Sequence, residues 1–104
     1  MACTLLRKQG YSVIRSMRYT SGIHLVAWAD GSPPLFIHVR RCRQEVRDTG
    51  EFISLWREDI AALQAIPRWD GISVQFWVYA VPIHGWRCFE IFPGGVMEAE
   101  GLVA

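Results

Sequence analysis

Between Gly71 and Pro82 the chain alternates without a slip. Ile72, Val74, Phe76, Val78 and Ala80 fall on one side, and Gln75, Trp77 and Tyr79 fall on the other. Alternation with period two over this length specifies a β-strand and excludes a helix. The turn residues Pro82-Ile83-His84-Gly85 follow, and Trp86 to Phe92 reads as the returning strand.

The same reasoning extends upstream. Met1 to Gln9 reads as the last turns of a helix, with Leu5 and Leu6 inward and Gly10 as its stop. Tyr11 to Ser16 and Ile23 to Ala29 read as strands, and Asp30-Gly31-Ser32-Pro33-Pro34 is a dense turn signal before a strand over Leu35–Arg41. The last two strands form a hairpin expected at the centre of the sheet. Residues 42–51 lack periodicity and are expected to be a loop. Phe52, Trp56, Ile60 and Leu63 then recur at helical spacing, predicting one helix over Phe52–Ile66 that Pro67 ends. Pro93-Gly94-Gly95 and the acidic end close the fold. The expected class is therefore α/β, a mixed central sheet of about five strands flanked by helices, in one domain spanning residues 1–104.

Composition narrows the setting. The chain is 51% apolar by residue, enough for a core without disulfide or metal staples. Apolar runs are broken before the length of a membrane span, and Arg7 and Lys8 follow Leu5-Leu6, the reverse of a secretory signal. Cys3, Cys42 and Cys88 are odd in number with no C-x-x-C spacing, which points to reduced thiols and a cytoplasmic location. Charge is partitioned. Residues 1–47 carry eight basic and two acidic side chains, a balance of +6, and residues 48–104 carry three and eight, a balance of −5. Such asymmetry fits a face aimed at phosphates, or complementarity to another surface of the same protein or a second copy.

The segments Gly10-Tyr11-Ser12-Val13-Ile14-Arg15-Ser16, Ser21-Gly22-Ile23-His24-Leu25-Val26-Ala27 and Phe36-Ile37-His38-Val39-Arg40-Arg41 resemble the archaeal Holliday junction resolvases and their relatives in the PD-(D/E)-x-K nuclease superfamily. Trp77-Val78-Tyr79 and Gly85-Trp86 fit the same pattern further on, so the resemblance covers nearly the whole chain. It implies a restriction-endonuclease-like fold, a two-fold dimer and a branched or duplex DNA partner. It also implies carboxylates on neighbouring strands that hold Mg²⁺, with a lysine two residues on, on the same face. The metal would activate water and shield the charge developing on the phosphate.

This sequence departs from the pattern at each of those positions. His24 stands where the aspartate is expected, His38 where the glutamate is, and Arg40 where the lysine is. Imidazole is a poor substitute for carboxylate at Mg²⁺, and arginine stays protonated and cannot act as a base. The helical glutamate of many relatives is also missing from Met1–Gln9. No cofactor is therefore expected, and Mg²⁺ enters only if ligands have moved. His24 and His38, with Cys42 as a third ligand, match no zinc spacing and are better read as pocket-filling, hydrogen-bonded side chains. His84 and Cys88 read as turn and strand residues, Asp30 as a turn residue, and Glu45 as a loop acid able to swing inward.

Arg15, Arg18, Arg40, Arg41 and Arg43 are the candidate phosphate contacts, provided that they share a face. Of the five tryptophans, Trp56 fits the helix core, while Trp28 and Trp77 fall off the main apolar rows and suggest a homodimer interface. Three functions follow as expectations. The first is a catalytically silent, resolvase-like protein binding DNA or a partner protein through a basic face. The others are a Mg²⁺-dependent endonuclease with relocated ligands, and an interaction domain without nucleic acid.

Overall fold

The computed structural model describes residues 2–15, 22–67 and 71–99. Six strands form one sheet in sequential order: β1 (Ser12–Arg15), β2 (Leu25–Trp28), β3 (Leu35–Cys42), β4 (Ser73–Ala80), β5 (Gly85–Phe92) and β6 (Gly95–Ala99). All neighbours are antiparallel except β3 and β4, which run parallel with Leu35 opposite Ser73 and Cys42 opposite Ala80. A parallel pair needs a crossover, supplied here by α2 (Thr49–Leu55) and α3 (Arg57–Gln64). A first helix, α1 (Ala2–Lys8), lies on the opposite side.

The mixed α/β class holds, and the strand count does not. Pro93-Gly94 is a two-residue hairpin connection rather than an end, because Phe92 pairs with Gly95 and Ile91 with Val96. The sixth strand is an edge strand, weakly marked in sequence because it has one neighbour. The β2–β3 hairpin is also not central; the parallel β3–β4 pair is.

One predicted helix is two. Trp56 has φ −127° and ψ 41°, outside the helical region, and separates α2 from α3. The break turns its ring against Phe52 and Phe76, at centroid distances of 5.7 and 5.6 Å. Part of the expected loop is helical as well. Asp48 caps α2, its side chain accepting from the Glu51 backbone N–H at 2.8 Å, and Glu51 reaches back to the Arg47 N–H.

Period-two alternation divides the core. On the α2–α3 side lie Phe52, Ile60, Leu63, Val74, Phe76, Val78, Phe89 and Ile91, with the Phe52 and Phe89 rings stacked at 3.8 Å. On the α1 side lie Ala2, Cys3, Leu6, Leu25, Ala27, Leu35, Ile37, Trp77 and Cys88. Leu6 faces inward as expected, and Gly10 ends α1 at a φ of +90°. Trp77 is fully buried in this second cluster of its own chain, so it is not the exposed interface residue that the sequence suggested. Trp28 is 42% exposed. Among the described residues no helix is long and apolar enough to cross a membrane.

Candidate functional site

His24 lies just before β2, and His38 and Arg40 lie on β3. Backbone pairing of His24 N–H with the Ile37 carbonyl, at 2.9 Å, sets the two segments side by side. The three side chains converge on the α2–α3 side, where the rings of His24 and His38 stack at 4.6 Å. The sequence expectation of neighbouring histidines is met, and they are hydrogen-bonded as expected.

The organising residue is Asp59, on the first turn of α3, which sequence reasoning missed. Its Oδ2 accepts from Arg40 Nε at 2.8 Å and from His38 Nε2 at 3.0 Å. His38 Nδ1 donates to the Gly22 carbonyl. Both ring nitrogens of His38 therefore face acceptors, the Gly22 carbonyl on one side and the Asp59 carboxylate on the other. His38 is buried and also packs edge-on against Phe76.

His24 has the complementary role. Its Nδ1 accepts from the Val39 backbone N–H at 2.8 Å, a contact open only to an unprotonated Nδ1. Burial lowers its pKa, and the nearby His38 and Arg40 lower it further against a smaller opposing effect of Asp59. Burial pushes the Asp59 carboxyl up, but the hydrogen bonds from Arg40 and His38 outweigh it and hold the group below its ordinary range. The arrangement is one carboxylate held between a guanidinium and a buried imidazole, with the His24 ring stacked behind.

A cleft of about 460 Å³ opens beside this cluster, lined by Gly22, His38, Arg40, Glu58, Asp59 and the apolar end of α3. The donor set does not suit Mg²⁺. The one carboxylate bound to His38 and Arg40 has an oxygen committed to both, His24 Nδ1 is committed to a backbone N–H, and both His38 nitrogens face acceptors. Among the described residues, no three His, Cys, Asp or Glu side chains converge as a metal-ligand set.

The other candidates separate. Arg40 faces α3, while Arg41, its chain neighbour, points to the α1 side and lies over the Tyr79 ring at 6.0 Å. Arg15 shares the α1 side, since it pairs with Leu25 of that cluster. Arg43 is exposed beyond the end of β3, and Arg18 lies outside the described residues. The five arginines therefore do not form one face. Asp30 and Glu45 are exposed and His84 occupies a left-handed turn position. Cys42 and Cys88 are buried, and burial pushes the Cys88 thiol far up, with Glu98 adding to it. Part of the charge partition is internal: Arg40 and Arg47 of the basic half pair with Asp59 and Glu51 of the acidic half.

Asp59 did leave a signal. It lies three residues after Trp56 and four before Leu63, so helical phase puts an acid on the inward stripe. A charge there needs a partner on the sheet, and Arg40 and His38 are those partners. No family model matches this chain, and no curated protein matches it.

Proposed function

We propose that this chain is a resolvase-like domain that has given up metal-dependent phosphodiester hydrolysis and binds nucleic acid. The observation that carries the reading is the Asp59 carboxylate clamped between His38 and Arg40, at the positions where the resemblance expects a metal-binding acid and a lysine. Metal hydrolysis needs anionic oxygens free to take a cation. Here cationic and neutral side chains occupy those positions, and an acid from α3 serves to hold them. The order α1, three strands, α2–α3, then β4 is compatible with the helix, strands and later helix that the resemblance implies.

Binding is assigned to the arginines that lack a carboxylate partner. Among the described residues these include Arg15, Arg41 and Arg43, all exposed. Two or three phosphate contacts would make affinity fall with salt at a log–log slope of about −2 to −3.

The test mixes purified protein with labelled four-way junction and linear duplex, with and without Mg²⁺ or Mn²⁺. A salt-sensitive gel shift without cleavage is expected. Cleavage abolished by a chelator would show relocated ligands and overturn the hydrolytic part. No shift even at low salt would leave an interaction domain without nucleic acid.

A further inference from the structure

One row of side chains on the α1 side runs across three strands in register: Arg41 of β3 opposite Tyr79 of β4, and Tyr79 opposite Trp86 of β5. The next row on that side, Val39–Trp77–Cys88, carries Trp77 and Cys88 in the core, both buried. One step along the strands burial gives way. Tyr79 and Trp86 are half-buried and Arg41 is exposed. An aromatic pair at the rim of a core, continued by a cation, is an amphipathic surface rather than interior packing.

We propose that the Arg41–Tyr79–Trp86 row is a stacking platform for single-stranded nucleic acid. The proposal rests on the reading of this chain as a nucleic-acid binder and names the form of ligand and the face that takes it. Flat aromatic faces accept any base, and neighbouring guanidinium groups take the phosphates that connect them. Three adjacent strands spread such a row over about 10 Å.

The rings are held in advance. Trp86 packs edge-to-face on buried Trp77 at 5.8 Å and on Tyr79 at 5.2 Å. Little side-chain freedom is left to lose when a base arrives. Arg41 lies over Tyr79 and has no carboxylate partner among the described residues, so its planar fork stays available to phosphate oxygens. Arg43, two residues on, is exposed and likewise without a carboxylate partner. Charge thus favours a polyanion, and the aromatic pair favours one whose bases are unstacked, which a duplex does not offer.

The test is fluorescence anisotropy with a labelled oligothymidylate and with a duplex of the same length, on the full chain. The single strand is expected to bind more tightly. Trp86→Leu is expected to lower its affinity about tenfold. Arg41→Gln should lower it several-fold and reduce the salt slope by about one, whereas Arg57→Gln, the same charge change at an exposed position of α3 on the other side of the sheet, should leave it unaltered. If Trp86→Leu does not fold, Arg41→Gln decides, together with loss of oligothymidylate quenching of tryptophan emission in Trp86→Phe. Parental affinity in both Trp86→Leu and Arg41→Gln overturns the platform. Duplex or junction bound in preference to single strand overturns it while leaving nucleic-acid binding standing, and no binding of any nucleic acid at low salt removes both.

Discussion

Two polar side chains are buried among the described residues, and they stand on opposite sides of adjacent strands: His38 of β3 beneath α3, and Gln75 of β4 on the α1 side. Gln75 is satisfied within β4 and β5. The Trp77 indole donates to its Oε1 at 2.8 Å, and its Nε2 faces Glu90 at 3.3 Å and Ser73 at 3.4 Å. The indole can only donate and the carboxylate only accept, so the orientation of the amide is fixed. Those strands are already registered by their ladder. His38 instead joins three separate stretches: the Gly22 segment, β3 and α3. One buried polar group reinforces a pairing that the backbone already makes. The other, through an ionisable ring, ties a helix to the sheet.

That contrast can be broken by substitution. His38→Ala removes ring packing on Phe76 and strands the Gly22 carbonyl, and should cost about 3 kcal/mol in urea unfolding. Hydrogen exchange in Arg57–Gln64 should quicken with it; a cost under about 1 kcal/mol, or unchanged exchange, would show that α3 does not depend on this ring. Gln75→Leu leaves the buried Trp77 N–H without its acceptor and should cost about 2 kcal/mol, with exchange in α3 unaffected.

The pH dependence sharpens the comparison. His24 titrates below its ordinary value of 6.5, so its contribution is complete above that pH and is lost as pH falls from there towards its folded pKa. Asp59 lies below its ordinary 3.8, so its contribution persists above that value and is lost only as pH falls through its folded pKa. Unfolding free energy followed from pH 7 downward should therefore decline in two stages, and His24→Gln should flatten the first. An undiminished first stage in that variant would remove His24 from the account. Gln75→Leu should lower the whole curve without changing its shape there. The smallest effect is expected from Arg47→Ala, whose pair with Glu51 is largely solvated; thermal unfolding should register a change no larger than about 0.5 kcal/mol.

Much of this architecture was legible residue by residue. The alternation of Ile72–Ala80 gave β4 and its two sides, and the Asp30–Pro34 turn placed β2 against β3. What misled was punctuation. Pro93-Gly94 marks a hairpin as readily as an end, and the spacing from Phe52 to Leu63 continues unbroken across Trp56, because the break alters backbone angles and not the side presented to the core. At the site, strand neighbours brought His24 to His38 as expected. The arginines were a different matter: Arg40 and Arg41 are adjacent in sequence and therefore opposite in space.

The sequence alone determined the first five strands, the inward stripe of the crossover and the presence of His24, His38 and Arg40 in neighbouring segments, because each is a matter of local period or residue identity. Only the tertiary structure decided that Asp59 closes the cluster and that Trp77 is interior while Trp86 reaches the rim. Those outcomes depend on which distant segment packs over a given strand position, and local periodicity carries no information about its partner.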